Sequence, residues 1–298
     1  MANPAQALLD MKKEKDFLIC IDSDGCAFDT MEIKHKECFI PNIIRWWDLQ
    51  AVSKYAREAA EYVNLYSKHR GINRFPALLE VFDLLADRPE AVRRGYKAPE
   101  VPTLRKWVET ETKLSNNTLK QYVKDHPEDE VMAHTLVWSE AVNNTVTDIV
   151  KHVPPFPFTV DSLKAMQDKA DVIVVSATPC EALEREWAEH DIAKYVKVIA
   201  GQEMGSKKEV IAQAKTKGYD DDRILMIGDA PGDHKAAKAN GALFYPINPG
   251  KEEDSWEALS KTYLEVFFGG RYKGECEEKL LKEFDTYLPS TPWWKNAK

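Results

Sequence analysis

The segment Phe17-Leu18-Ile19-Cys20-Ile21 is apolar throughout and runs directly into Asp22-Ser23-Asp24-Gly25. A short apolar run of this kind reads as a strand buried on both faces, as in a parallel sheet. The two carboxylates at its end constrain the chain further. Charges at the end of a buried strand need a metal, a partner or solvent to hold them. Open α/β sheets also place their ligands at the carboxyl ends of their strands. Asp22 and Asp24 are therefore the first candidates for chemistry, although the pair alone fits a turn cap equally well.

After this loop the pattern changes. From about 31 to 152 the chain offers no convincing β-run. Residues 32–67 read as one long helix or two, interrupted near Pro41. Leu78, Leu79, Phe82 and Leu85 form an apolar helical stripe that begins after Pro76 and is closed by Arg88-Pro89. Further helices are expected near 103–112, from Ser115, and from about Pro127 to Lys151. Trp46 and Trp47 read as packing residues. Val153-Pro154-Pro155-Phe156-Pro157 then punctuates the chain, because its prolines cannot continue a helix.

Beyond the prolines, strands and helices alternate. Apolar runs at 171–175, 196–200, 223–227 and 243–245 are separated by helical stretches near 159–169, 180–189, 207–217 and 232–239. Such alternation predicts a parallel sheet with helices on both faces. The expected fold class is α/β, a Rossmann-like parallel sheet core with an inserted all-α cap domain. The core is expected over 1–29 and 153–298, with a helical extension at about 255–298, and the cap over 30–152.

A chain of 298 residues accommodates a core plus such an insert. The formal net charge of −8 argues against nucleic-acid binding driven by phosphate contacts. Five scattered cysteines without a CxxC pair predict reduced thiols and a cytoplasmic setting. No apolar run approaches the ~18–20 residues that span a bilayer, and the N-terminal stretch shows no apolar segment of a secretory leader. His35 and His69 lack the spacing of zinc ligands.

In a parallel sheet all post-strand loops emerge at one edge. Asp22 and Asp24, Ser176 after the 171–175 run, Lys207 at a helix start, and Asp229 and Asp233 after the 223–227 run can therefore converge. Carboxylates with one Lys and one Ser suit Mg²⁺ and a phosphoryl group. Mg²⁺ takes oxygen ligands, a carboxylate can attack phosphorus, and a second carboxyl group can protonate the leaving oxygen. Lys207 is preferred to Lys208 because Val210 and Ile211 then mark the buried face of the helix. Asp233 also fits a plain helix cap, and Asp29 fits a cap or a site residue.

These motifs in this order resemble the haloacid dehalogenase (HAD) superfamily phosphatases with an inserted helical (C1-type) cap. Asp22-Ser23-Asp24-Gly25, Ser176, Lys207 and Gly228-Asp229-Ala230-Pro231-Gly232-Asp233 match its four motifs, over about 17–29 and 153–247. The resemblance implies Asp22 as nucleophile and Asp24 as general acid/base. It implies Mg²⁺ held by Asp22, the Asp24 carbonyl and Asp229, and phosphoryl binding by Ser176 and Lys207. Asp233 would support the metal site or orient Lys207. Cys26 departs from the usual Thr or Val, which puts the rigidity of the loop in question and leaves a thiol near the site.

The expected activity is Mg²⁺-dependent hydrolysis of a small phosphorylated metabolite through an aspartyl-phosphate. A phosphomutase and a phosphonate hydrolase are alternatives within the same chemistry. The latter would need a cap lysine as a Schiff base, with Lys34, Lys36, Lys54 and Lys68 as candidates. A non-catalytic metabolite-binding protein is the alternative outside it. In the cap, Lys68, His69, Arg70 and Arg74 surround a glycine turn; they fit a solvated turn between helices, and are also candidates for reading a polar or anionic substrate group.

Overall fold

In the computed structural model, residues 4–296 are described, and the chain falls into two compact units. One comprises the residues up to Met31 together with His152–Leu288. The other comprises Glu32–Lys151 together with the residues from Pro289 on.

The first unit is built on five strands: β1 (Phe17–Ile21), β2 (Ala170–Val175), β3 (Val198–Ala200), β4 (Ile224–Gly228) and β5 (Leu243–Pro246). They form one sheet in the order β3-β2-β1-β4-β5, and every neighbouring pair is parallel. The protein is thus an α/β fold of the Rossmann-like kind. Side chains alternate between the faces with a period of two. Leu18, Cys20, Ile173, Val175, Met226 and Phe244 enter one core. Ile19, Ile21, Val172, Val174, Ile227 and Tyr245 enter the other. Helix 207–215 covers the first face with Val210, Ile211 and Ala214. Helix 159–166 covers the second with Leu163 and Met166.

The chain extends the sheet from β1 through β2 to β3, then crosses to β4 and β5 on the other side. The strand order therefore reverses between β1 and β4, the place where such sheets open a crevice. Register fixes what lies there. Ile21 is level with Val174 of β2 and with Ile227 of β4. Asp22 therefore leaves the sheet at the same height as Gly228, with Ser176 and Asp229 one step further out.

The second unit is helical. Its core gathers Ala56, Ala60 and Val63 of helix Ser53–Leu65, and Leu78, Phe82 and Leu85 of helix Arg74–Ala86, with Trp107, Trp138 and Val142. Pro41 does not interrupt the helical run as expected. Lys34–Phe39 is π-helical and hands over at Ile40 to an α-helix that contains Pro41, so the run passes through the proline by a local change of helical pattern. The break falls later, around Asp48, whose φ is 52°. The residues after Leu288, expected with the sheet, cluster here instead. The Tyr62 hydroxyl donates to the Pro289 carbonyl at 3.2 Å. The Arg88 guanidinium lies 4.5 Å from the Tyr55 ring centre and 4.6 Å from that of Trp294, and pairs with Glu58 at 2.5 Å. No helix of the described residues is long and apolar enough to cross a membrane.

Candidate active site

The Asp22 amide donates to the Ile227 carbonyl at 3.0 Å, so the ladder between β1 and β4 continues one residue past the strand. Asp22 is 5% exposed. Its Oδ1 accepts from the Ser23 amide at 2.8 Å, and its Oδ2 lies 2.5 Å from Lys207 Nζ. The same ammonium lies 2.5 Å from Asp233 Oδ1. Asp233 Oδ2 in turn accepts from the Ala230 amide at 3.1 Å, so this residue also caps its helix. Lys207 stands at the start of helix 207–215, which Ser206 opens with a capping box. Its neighbour Lys208 is exposed.

Asp22, Asp229 and Asp233 are all buried, and their nearest carboxylate oxygens lie within 4.8 Å of one another. Gly228 permits this closeness, since a Cβ there would lie 2.5 Å from that of Asp233. Burial, and then the two neighbouring carboxylates, push Asp22 well above the usual carboxylate range, against the pull of Lys207. Burial alone would lower Lys207, but Asp22 and Asp233 outweigh it and hold the ammonium in its charged form. Three carboxylates against one ammonium leave an excess of negative charge in a buried place. That imbalance, and an all-oxygen donor set, fit a hard divalent cation such as Mg²⁺.

Asp24 is held apart from this cluster. Its Oδ2 accepts from the Thr178 hydroxyl at 2.6 Å, and its Oδ1 from the Thr30 hydroxyl. Gly25 follows in the left-handed region, φ 73°, which turns the chain sharply behind Asp24. Ser176 is 3% exposed. Its hydroxyl oxygen accepts from the Thr178 amide at 3.2 Å, which leaves its proton available to a further acceptor. Asp29 is exposed just before helix Thr30–Ile33.

Cys26 is fully buried, and burial pushes its thiol well up, so this thiol does not have the exposed, low-pKa character of a reactive one. The loop is also anchored: the Trp256 indole donates to the Cys26 carbonyl at 2.7 Å.

The four basic residues of the turn at 68–74 lie in the helical unit. Arg70, 4% exposed, donates to the Leu65 carbonyl at 2.8 Å. Arg74 donates to the Ser139 carbonyl and hydroxyl, each at 3.0 Å, and to Asn143 Oδ1 at 2.8 Å. Burial pulls its guanidinium down to about 10, still charged at neutral pH. Both arginines thus brace helices within their own unit. His69 pairs with Glu80, and Lys68 is exposed.

Sequence reasoning missed Thr30, Thr178 and Trp256. No local pattern marks them, because each acts on a partner through the fold. Thr30, next to Asp29, and Thr178, two residues past Ser176, lie close enough to a motif to have drawn attention.

The model of the haloacid dehalogenase-like hydrolase family matches residues 91–245, just over half of the chain. The chain belongs to this family. No curated protein matches it. Among solved structures it is similar to a HAD-superfamily hydrolase, subfamily IA, from Geobacter sulfurreducens, with 14% identity, 78% of this chain and 88% of that one covered, and a TM-score of 0.40. It is also similar to a provisionally named phosphoglycolate phosphatase from Lactobacillus delbrueckii (16%, 83% and 92%, TM-score 0.49). A third is a provisionally named beta-phosphoglucomutase from Thermotoga maritima (16%, 83% and 99%, TM-score 0.41). The family assignment rests on the match of the family model, not on these structures.

Proposed function

We propose that this HAD-like hydrolase is a Mg²⁺-dependent phosphohydrolase that acts on a small phosphorylated metabolite through an aspartyl-phosphate. The reading is carried by one observation. Asp22 is clustered with two further carboxylates and Lys207, whereas Asp24, two residues on, is held separately by two hydroxyls. Two carboxylates in unlike surroundings suit two unlike roles.

Asp22, the Asp24 carbonyl and Asp229 would hold Mg²⁺. When bound, the ion would offset the excess carboxylate charge and the charge on the phosphoryl oxygens. Asp233, both of whose oxygens are engaged by Lys207 and the Ala230 amide, keeps Lys207 in place. Lys207 and the Ser176 hydroxyl bind the phosphoryl oxygens. An Asp22 carboxylate oxygen attacks phosphorus as the ester P–O bond breaks, and Asp24 gives its proton to the departing oxygen. Asp24 then takes a proton from water, whose oxygen attacks phosphorus. The bond from phosphorus to Asp22 breaks and the carboxylate is restored. Thr30 and Thr178 set the direction from which Asp24 delivers that proton.

Of the four candidate cap lysines, Lys36 does not suit the Schiff-base role. Burial lowers it, but the pairing with Glu32 prevails and holds it protonated, the wrong state for an amine that must attack a carbonyl. A cytoplasmic setting belongs to the same proposal, supported by five cysteines outside any disulfide.

The test is hydrolysis of an aryl phosphate and a panel of phosphorylated metabolites, with and without Mg²⁺. Metal-dependent release of phosphate by the wild type, lost in Asp22→Asn, is expected. Activity that survives Asp22→Asn would overturn the nucleophile assignment, and tight ligand binding without turnover would favour a binding protein.

A further inference from the structure

Ser23 separates the two aspartates and is fully buried. Its backbone is unusually busy. The amide donates to Asp22 Oδ1 at 2.8 Å. The carbonyl accepts from the amides of Cys26, Ala27 and Phe28, at 3.3, 2.9 and 3.0 Å. The orientation of this residue therefore sets both the direction of the Asp22 carboxylate and the turn that carries Asp24.

Its hydroxyl is held from far away in sequence. The Trp187 indole N–H donates to Ser23 Oγ at 3.0 Å, and that oxygen donates to Glu186 Oε2 at 3.1 Å. Trp187 is itself fully buried and packs edge-on against Phe28, ring centres 5.8 Å apart. Both partners belong to helix Cys180–Glu189. The loop before that helix carries Thr178, which holds Asp24 Oδ2. One stretch of chain, 176–187, thus fixes Asp24 through Thr178 and grips Ser23 through Trp187 and Glu186.

We propose that Trp187 and Glu186 are positioning residues for Asp22 and act on it through the Ser23 hydroxyl. The proposal rests on the phosphohydrolase reading above. Without the anchor, the peptide between Asp22 and Ser23 can rotate, the amide loses its line to Oδ1, and the attacking oxygen wanders from phosphorus. An error of this kind slows the chemical step more than it weakens substrate binding.

Three substitutions test it: Trp187→Phe keeps the ring against Phe28 and removes the N–H, Ser23→Ala removes the hydroxyl, and Ser23→Thr restores it. With an aryl phosphate and Mg²⁺, Trp187→Phe and Ser23→Ala are expected to lower kcat by about tenfold with KM changed by less than about twofold, and Ser23→Thr to recover most of the loss. The ¹⁹F resonance of fluoroberyllate bound in the presence of Mg²⁺ is expected to move in Trp187→Phe and Ser23→Ala and to return in Ser23→Thr. A merely packing role would lower the melting temperature and leave the kcat to KM split and the resonance as they are, which would overturn the proposal. A wild type that neither cleaves any phosphoester nor binds fluoroberyllate would sink the phosphohydrolase reading and this proposal with it. A wild type that does both, beside variants indistinguishable from it, would sink this proposal alone.

Discussion

The sheet carries buried carboxylates at both of its ends, and the two ends treat them in opposite ways. Asp171 lies near the start of β2 and is 1% exposed. It meets Lys197 at 2.8 Å, the Tyr219 hydroxyl at 2.6 Å, and the amides of Glu14 and Lys15 at 2.8 and 3.0 Å. Burial would raise it, but these partners together hold it below the usual carboxylate range. Asp22, just past the end of β1, shares its surroundings with two other carboxylates and is pushed the other way. A carboxylate fully served by its own protein is a clip for the segment at 14–15. Asp22 shares a single ammonium, that of Lys207, with Asp233, in a group of three carboxylates whose donor set would suit a cation.

The contrast can be broken most sharply at Asp22. Asp22→Asn is expected to cut turnover by roughly 10³-fold or more. It is also expected to raise the melting temperature measured without metal, since it removes one of the crowded charges. Asp171→Asn should do the reverse: it should cost about 3 kcal/mol in denaturant unfolding, because Lys197 loses a buried partner, and leave kcat nearly unchanged. If both substitutions moved stability in the same direction, the distinction between the two ends would fail.

Acid titration sharpens it further. The depressed Asp171 contributes stability that is complete above its unfolded value near 4 and is lost as pH falls through its lower folded value. The raised Asp22 works in the opposite sense: between the unfolded value and the higher folded one the native state binds more protons, so stability without metal rises as pH falls. Asp171→Asn should flatten the steep loss below about pH 4, and Asp22→Asn should flatten the gentler slope above it. Saturating Mg²⁺ should raise the wild-type melting temperature and remove that upper slope, and Asp229→Asn should blunt both effects. The smallest effect concerns Asp24. Asp24→Asn should slow alkyl phosphates by about 10²-fold more than aryl phosphates, whose leaving group needs little protonation, and competitive kinetics on the two classes would show it.

Much of the arrangement can be read from residues alone. The five apolar runs announce the sheet, and the shared edge of a parallel sheet brings Asp22, Ser176, Lys207 and Asp229 into one neighbourhood. Lys207 is distinguished from Lys208 by the helical phase of Val210 and Ile211, both buried. What escapes such reading depends on contacts across long stretches of chain. The Thr178 hydroxyl on Asp24 and the Trp256 indole on Cys26 follow no period. Arg70 and Arg74 show why a cluster of cations reads two ways. A cluster of cations looks like a reader of anions, yet a guanidinium is as well satisfied by carbonyls and amides inside a helical bundle.

The seating of the tail on Tyr62 and Arg88 bears on how this protein can be taken apart. A helical insert entered once and left once can in principle be exchanged like a cassette. Here a swap of 32–151 alone would strip the tail of the tyrosine and the arginine that receive Pro289 and Trp294. The transplanted helices would meanwhile carry a bare aromatic notch into their new host. Any chimera of this chain has to move two separate pieces of sequence together, and a lineage that recombines its caps would have to do the same.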